Sequence, residues 1–207
     1  MTPTSDAAGR RESSEDRRRA IAAAARALIL EKGFEGLRTR DIAERVGINV
    51  ATLHYHVPTK QALIELVAHS LKVDFHQQHL ARPRDGLDAV GRLRAEFADY
   101  AELLFDRPEV MFVFGELIAR SKRDPQVREI VLRMRMRWQQ QFADILAEGR
   151  NGGLFRADMD PALMAQIITG ALASARHFGG PSRDQFAALA DELVRSVCNP
   201  TRPDNDR

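Results

Sequence analysis

Cysteine is almost absent from this chain. Cys198 is the only one in 207 residues, which excludes an intrachain disulfide and any zinc site built on cysteine. Long apolar runs are missing too. No uninterrupted stretch approaches the roughly 18 residues needed to span a bilayer, so no membrane partner is expected. The opening residues, MTPTSDAAGRRESSEDRRR, lack the apolar core of a secretory signal, and the cytoplasm is the expected compartment. No segment sustains period-two alternation, so no strands are expected, and no internal repeat is visible. A nucleophile elbow, a phosphate loop and a His-Glu metal motif are all lacking. The chain is therefore read as no enzyme, with no catalytic residue, cofactor or metal.

Net charge is also small, at +2 despite a pI of about 9.0. It is unevenly spread: residues 10 to 60 hold eleven Lys or Arg against seven Asp or Glu. That asymmetry fits an anionic partner at the N-terminal end, or simply a solvated charged surface. The run Arg17-Arg18-Arg19 has the same two readings, an arm entering a minor groove or a solvated helix start.

What is present is helical periodicity. Ile21, Ala24, Ala25, Leu28 and Ile29 mark a helix from Arg17 to Lys32, with Gly33 placed as its C-cap. Two short helices follow at 39 to 46 and 50 to 56, joined by Gly47-Ile48-Asn49, a helix-turn-helix spacing. Asn49 is a good N-cap for the second, and Val57 before Pro58 ends it. A long helix runs from Thr59 to residue 81. Beyond it, helices are expected at 86 to 105, 108 to 120, 125 to 149, 161 to 178 and 183 to 197. Asp124-Pro125 and Asp160-Pro161 are starts of the N-cap plus N1-proline type, and Ser182 to Gln185 has capping-box spacing. The fold class is all-α, with nine helices.

The helix 50 to 56 holds the chain's most informative residues. At 100° per residue Val50, Leu53, His56 and Val57 fall on one face; Ala51, Thr52 and Tyr55 fall opposite, with His54 beside them. Small residues first and a His-Tyr pair last suit a major groove, where methyls meet thymine and polar groups reach phosphates. His54 and His56 lie about 200° apart and cannot chelate one metal while helical. His76 and His79 share a face, but no Asp, Glu or Cys joins them at helical spacing.

The segment 18 to 66 resembles the DNA-binding domain of the TetR family of bacterial transcriptional regulators. EKGFEGLRTRDIAERVGI (31 to 48) and ATLHYHVPTKQAL (51 to 63) carry the likeness. Residues 1 to 15 are polar and expected to be a disordered tail, and a second disordered tail is expected at 199 to 207; the resemblance implies a three-helix DNA-binding domain at 16 to 66 and a larger ligand-binding and dimerisation domain at 67 to 198. It also implies double-stranded DNA as partner. Phosphate contacts would come from Lys60, Tyr55, His54, Thr39 and Arg38 or Arg40, and base contacts from Thr52, Ala51, Val50 and Asn49 or Arg40. The sequence departs from the family where Arg38 replaces the usual Thr or Ser, and where His54 occupies a position often held by tyrosine. His56 and Val57 hold inward-facing positions.

For the C-terminal region the resemblance implies a small-molecule effector and a homodimer facing a palindromic operator. Phe105, Phe112, Met134, Trp138 and Phe142 are candidates for the effector pocket, although such stripes are usually core. Ile167, Gly170, Ala171, Ser174, Phe186, Leu189, Leu193 and Val197 are candidates for the dimer interface. The leading expectation is a repressor released by its effector. The alternatives are a helical enzyme using the C-terminal pocket and a non-specific architectural DNA binder. Glu116 and Arg120 are polar candidates for such a pocket, with an i, i+4 surface ion pair as the simpler account.

Overall fold

A computed structural model describes residues 5–175, 180 and 182–200. Among the described residues there are nine α-helices and no strand, with one isolated bridge between Phe155 and Cys198. The helices are α1 (Ser5–Lys32), α2 (Thr39–Val46), α3 (Val50–His56), α4 (Lys60–Ala81), α5 (Ala89–Phe105), α6 (Pro108–Ser121), α7 (Pro125–Asn151), α8 (Pro161–Ser174) and α9 (Arg183–Val197). No helix among them is long and apolar enough to cross a membrane.

Helix starts follow local side-chain chemistry. Asn49 Oδ1 accepts the Thr52 N–H at 2.7 Å. Asp160 accepts from Ala162 and Leu163, and Ser182 and Gln185 form a reciprocal capping box. These bonds satisfy backbone donors that the first turn leaves orphaned. Two starts differ from expectation. α5 begins at Ala89, not residue 86, because Asp88 caps it by accepting the Gly91 N–H at 2.8 Å. α1 begins at Ser5, not Arg17, so the tail expected through residue 15 is helical from Ser5 onward. Its Ala, Arg and Glu residues are good helix formers, and extending an anchored helix avoids a new nucleation step. The end expected for α8 at residue 178 lies outside the described residues, as do residues 201–207 of the expected C-terminal tail.

The chain divides into two compact units. The first runs through Gln77 and takes in Glu109–Val131; the second comprises Gln78–Pro108 and Leu132 onward. α6 thus groups with the N-terminal helices. Its polar side chains explain why: Glu116 Oε2 accepts the Phe34 N–H at 2.9 Å, and Arg120 pairs with Glu35 at 2.6 Å. The expected Glu116–Arg120 ion pair does not form, because both side chains are engaged elsewhere within this unit. Ile21, Ile29, Ile42, Leu53, Ile64, Leu71 and Leu117 are its largest fully buried side chains.

In the second unit α5 packs along α9. Leu93, Phe142, Leu146, Phe155 and Ile168 are the buried centre. Around them Tyr100 stacks on Trp138 with centroids 5.6 Å apart and on Phe186 at 6.0 Å, while Phe142 meets Trp138 edge-on.

Candidate nucleic-acid interface

The turn between α2 and α3 is set by Gly47, whose φ of 74° is left-handed and open to glycine without steric cost. Its N–H and that of Ile48 return to the carbonyls at the end of α2, the latter to Ala43 at 2.9 Å. Ile42, Ala43 and Leu53 close the core beneath the turn. The result is a seven-residue helix held by its inward side, with the opposite side left bare.

On that bare side Tyr55 is 83% exposed, and Ala51 and His54 are exposed beside it. Thr52 is half-buried. Val57 is buried and His56 half-buried, as their inward positions require. Val50 departs from the expected inward face: at 38% exposed it opens to solvent at the helix start. Asn49 Oδ1 accepts the cap bond, and its amide N–H groups stay available as donors. Burial, and then the fields of Arg17 and Arg18, hold the His56 imidazole below the usual histidine range. It is therefore an uncharged part of the fold at neutral pH, and not a cation presented to a partner.

Charge pairing separates the cations of this region. Lys32 pairs with Asp41, and Arg45 makes two bonds to Glu31, at 2.6 and 2.9 Å. Arg38, Arg40 and Lys60 are exposed and enter no ion pair among the described residues. Arg38 is the N-cap residue of α2 in extended conformation, but its guanidinium has no acceptor for the orphaned N–H groups and makes no cap bond, and Thr39 follows it as the first helical residue. Lys60 opens α4, whose first turn is capped by Thr59 Oγ1 accepting from Ala62 at 3.0 Å. The helix-turn-helix and the helix start after it thus expose three cations without an ion pair among the described residues, a phenol, an imidazole and a hydroxyl-bearing helix. That is the composition that anionic backbones select, with base-edge contacts left to the small residues of α3.

Residues 21–67 match the pattern of the bacterial regulatory proteins of the tetR family, and residues 89–199 match the C-terminal region of BetI-type transcriptional repressors. The chain belongs to the TetR family. It is a DNA-binding transcriptional repressor responsive to a ligand. Among TetR-family relatives, the repressor KstR2 of Mycobacterium tuberculosis is 26% identical over 148 residues, covering 70% of this chain and 72% of that protein. A transcriptional regulator from Saccharomonospora viridis, solved in complex with choline, superposes with a TM-score of 0.78 at 24% identity over 89% of this chain and 99% of its own. AibR, solved with isovaleryl coenzyme A and operator DNA, gives 0.66 at 24% identity over 86% and 96%. At these identities the two solved structures establish the fold.

The remaining candidates divide. Of the effector set, Trp138 and Phe142 join the aromatic cluster of the second unit, and Phe105 meets its edge through Phe186. Met134 is buried in that unit. Phe112 lies on α6 in the first unit, 48% exposed. Of the dimer set, Phe186, Leu193 and Val197 are buried within their own unit, and Leu189 is half-buried. Ile167, Gly170 and Ser174 face outward on α8 with Ala171 half-buried beside them, and Leu163, unanticipated, extends that stripe by a turn.

Sequence reasoning also missed a polar cluster. Apart from His76, His79 has no metal-type partner at helical spacing on its own helix, but Glu96 and Asp99 reach it from α5, with the ligand-type atoms of His79, Glu96 and Asp99 within 4.8 Å of one another. The carboxylates are already occupied: Arg84 bonds Glu96 at 3.0 Å and Asp99 at 2.5 Å, and Arg82 bonds Asp99 at 2.5 Å. The arrangement is an ion-pair network. Helical spacing could not show it, because its members come from two helices and the loop between them.

Proposed function

We propose that the chain acts as a two-fold homodimer on a palindromic operator and that a small-molecule effector releases it. The unpaired cations around α3 carry this reading. Lys60, Tyr55, His54, Thr39, Arg38 and Arg40 supply phosphate contacts, and Thr52, Ala51 and Val50 read base edges, with the amide of Asn49 as a donor. Phosphate contacts set the register and the salt dependence, while base contacts set the sequence preference. The test uses a duplex selected from a random pool by the full-length protein. Lys60→Ala should weaken every duplex alike and flatten the salt dependence by about 0.9 for each phosphate no longer neutralised. Thr52→Ala should instead change the order of preference among duplexes. Two variants indistinguishable from the parent would remove these roles.

Dimerisation is proposed through α8. Leu163 and Ile167 are each 59% exposed, and with Gly170 and Ser174 they follow a 4-3-4 spacing that keeps one helix face. A Cβ built at Gly170 meets nothing within 4 Å, so packing within the chain does not demand glycine there. A close approach by a second copy would. Ile167→Asp should yield a folded monomer in sedimentation and lose selected-duplex binding with it, since one recognition helix covers only a half-site. A dimeric, fully binding variant would place the interface elsewhere.

The effector region is proposed at the aromatic cluster of the second unit, with Trp138, Phe142, Tyr100 and the edge of Phe105 as its apolar walls. Two of the similar solved structures carry ligands as unlike as choline and isovaleryl coenzyme A, which matches a family whose effector domains vary in chemistry. α4 links effector to operator, carrying Lys60 at its start and Gln78 and His79 near its end. A coupling free energy of about 1–3 kcal/mol along such an element is enough for release.

A further inference from the structure

The arginine run at the start of the α1 core has three different fates. Arg19 bonds the carboxylate of Asp16 on its own helix. Arg18 reaches across 38 residues, its Nη1 donating to the His56 carbonyl at 2.9 Å. Arg17 is exposed and has no bond or ion pair among the described residues.

The Arg18 bond falls at a sensitive place. A seven-residue helix is far below the length that sustains itself in water, and its last carbonyls have no partner inside it. The backbone accounts for one closing bond, from the Val57 N–H to Leu53 at 2.8 Å. Arg18 satisfies the carbonyl at the helix end and sets a full positive charge at the negative end of the helix dipole. The side chains just before that carbonyl are the exposed His54 and Tyr55. Arg17 is the preceding residue along α1, adjacent to the one whose side chain bonds this helix end.

We propose that α1 belongs to the DNA-binding surface: Arg17 is a further phosphate contact, and Arg18 is a positioning residue that fixes the C-terminal end of the recognition helix. This rests on the operator-binding reading above. Three arginines in sequence are thereby separated by role: one on the ligand, one on the helix that reads it, one neutralised at home. With Arg38, Arg40 and Lys60, Arg17 is a fourth exposed cation without an ion pair among the described residues, and it stands on a different helix.

The experiment follows binding of the selected duplex by anisotropy across a salt series. Arg17→Ala should lower the slope of log K against log salt by about 0.9 for each protomer, with unfolding unchanged. Arg19→Ala should leave slope and affinity as in the parent. Arg18→Ala should lower affinity and speed amide exchange across residues 50–57, and Arg18→Lys should restore part of both. An unchanged slope in Arg17→Ala, where Lys60→Ala does lower it, overturns the phosphate role of Arg17 alone. Unchanged exchange and affinity in Arg18→Ala overturn the positioning role. A parent with no salt-dependent duplex binding overturns this inference together with the reading beneath it.

Discussion

Arg84→Ala should lower the stability of the second unit by about 3–5 kcal/mol, the usual cost of removing one partner from a buried ion pair. The Arg84 side chain is only 12% exposed, and its partners Glu96 and Asp99 are 7% and 11% exposed. Besides the two carboxylates, its guanidinium bonds the His79 carbonyl at 2.7 Å and the Arg82 carbonyl at 3.0 Å. Alanine would strand two buried negative charges that Arg82 alone cannot satisfy, since it also serves Glu102 at 3.4 Å. Trp138 is the only tryptophan and lies in the same unit, so its emission during urea unfolding reads the change in stability. Adding Glu96→Gln and Asp99→Asn to Arg84→Ala should return much of it, because neutral amides carry no stranded charge. A single-variant effect below about 1 kcal/mol, the range of exposed pairs, would mean that water reaches the network.

That network marks where sequence stops being legible. Helix boundaries were readable because caps act within three residues: Asn49 to Thr52, Asp160 to Leu163, Ser182 to Gln185. The helix-turn-helix was readable for the same reason, since Gly47, Ala43 and Leu53 are constrained by a turn and a core only a few residues across. Periodicity also placed Leu53 and Val57 inward and Tyr55 outward. It failed at Val50, where the first turn of α3 stands clear of the core that buries its later residues. Partners across the chain left no local trace. Glu116 carries the spacing of an ion pair with Arg120, yet it accepts the Phe34 N–H. The second-unit faces show a further limit. Phe186, Leu193 and Val197 are apolar at helical spacing, as are Leu163 and Ile167. The pattern records that a face is apolar, but not whether α5 or a second copy covers it.

Gly149→Ala should cost about 3 kcal/mol, reversing the sign this substitution normally has in a helix. In an exposed helix interior alanine is more stable than glycine by roughly 1 kcal/mol. Gly149 lies inside α7, two residues before its end, and by position alone it looks like a site to improve. A Cβ there would lie 2.1 and 2.2 Å from Cδ2 and Cε2 of Phe155 and 2.9 Å from the Ala89 Cβ. The ring cannot retreat. Phe155 is 1% exposed, and its N–H donates to the Gly149 carbonyl at 3.1 Å. The flanking backbone is held on both sides, Arg156 N–H to Val197 at 2.9 Å and Asn199 N–H to Leu154 at 3.0 Å. Overpacking of a core that cannot shift costs about 1–3 kcal/mol, occasionally more, and the forced displacement of a fully buried ring puts this site at the upper end. Urea unfolding of Gly149→Ala, Phe155→Leu and the double variant separates clash from cavity. Phe155→Leu alone opens space and destabilises, but in the Gly149→Ala background it should recover stability, since the added methyl then occupies part of what the ring vacates. Additive destabilisation in the double variant would show that the methyl and the ring never compete, and a stabilised Gly149→Ala would show that Phe155 moves aside freely.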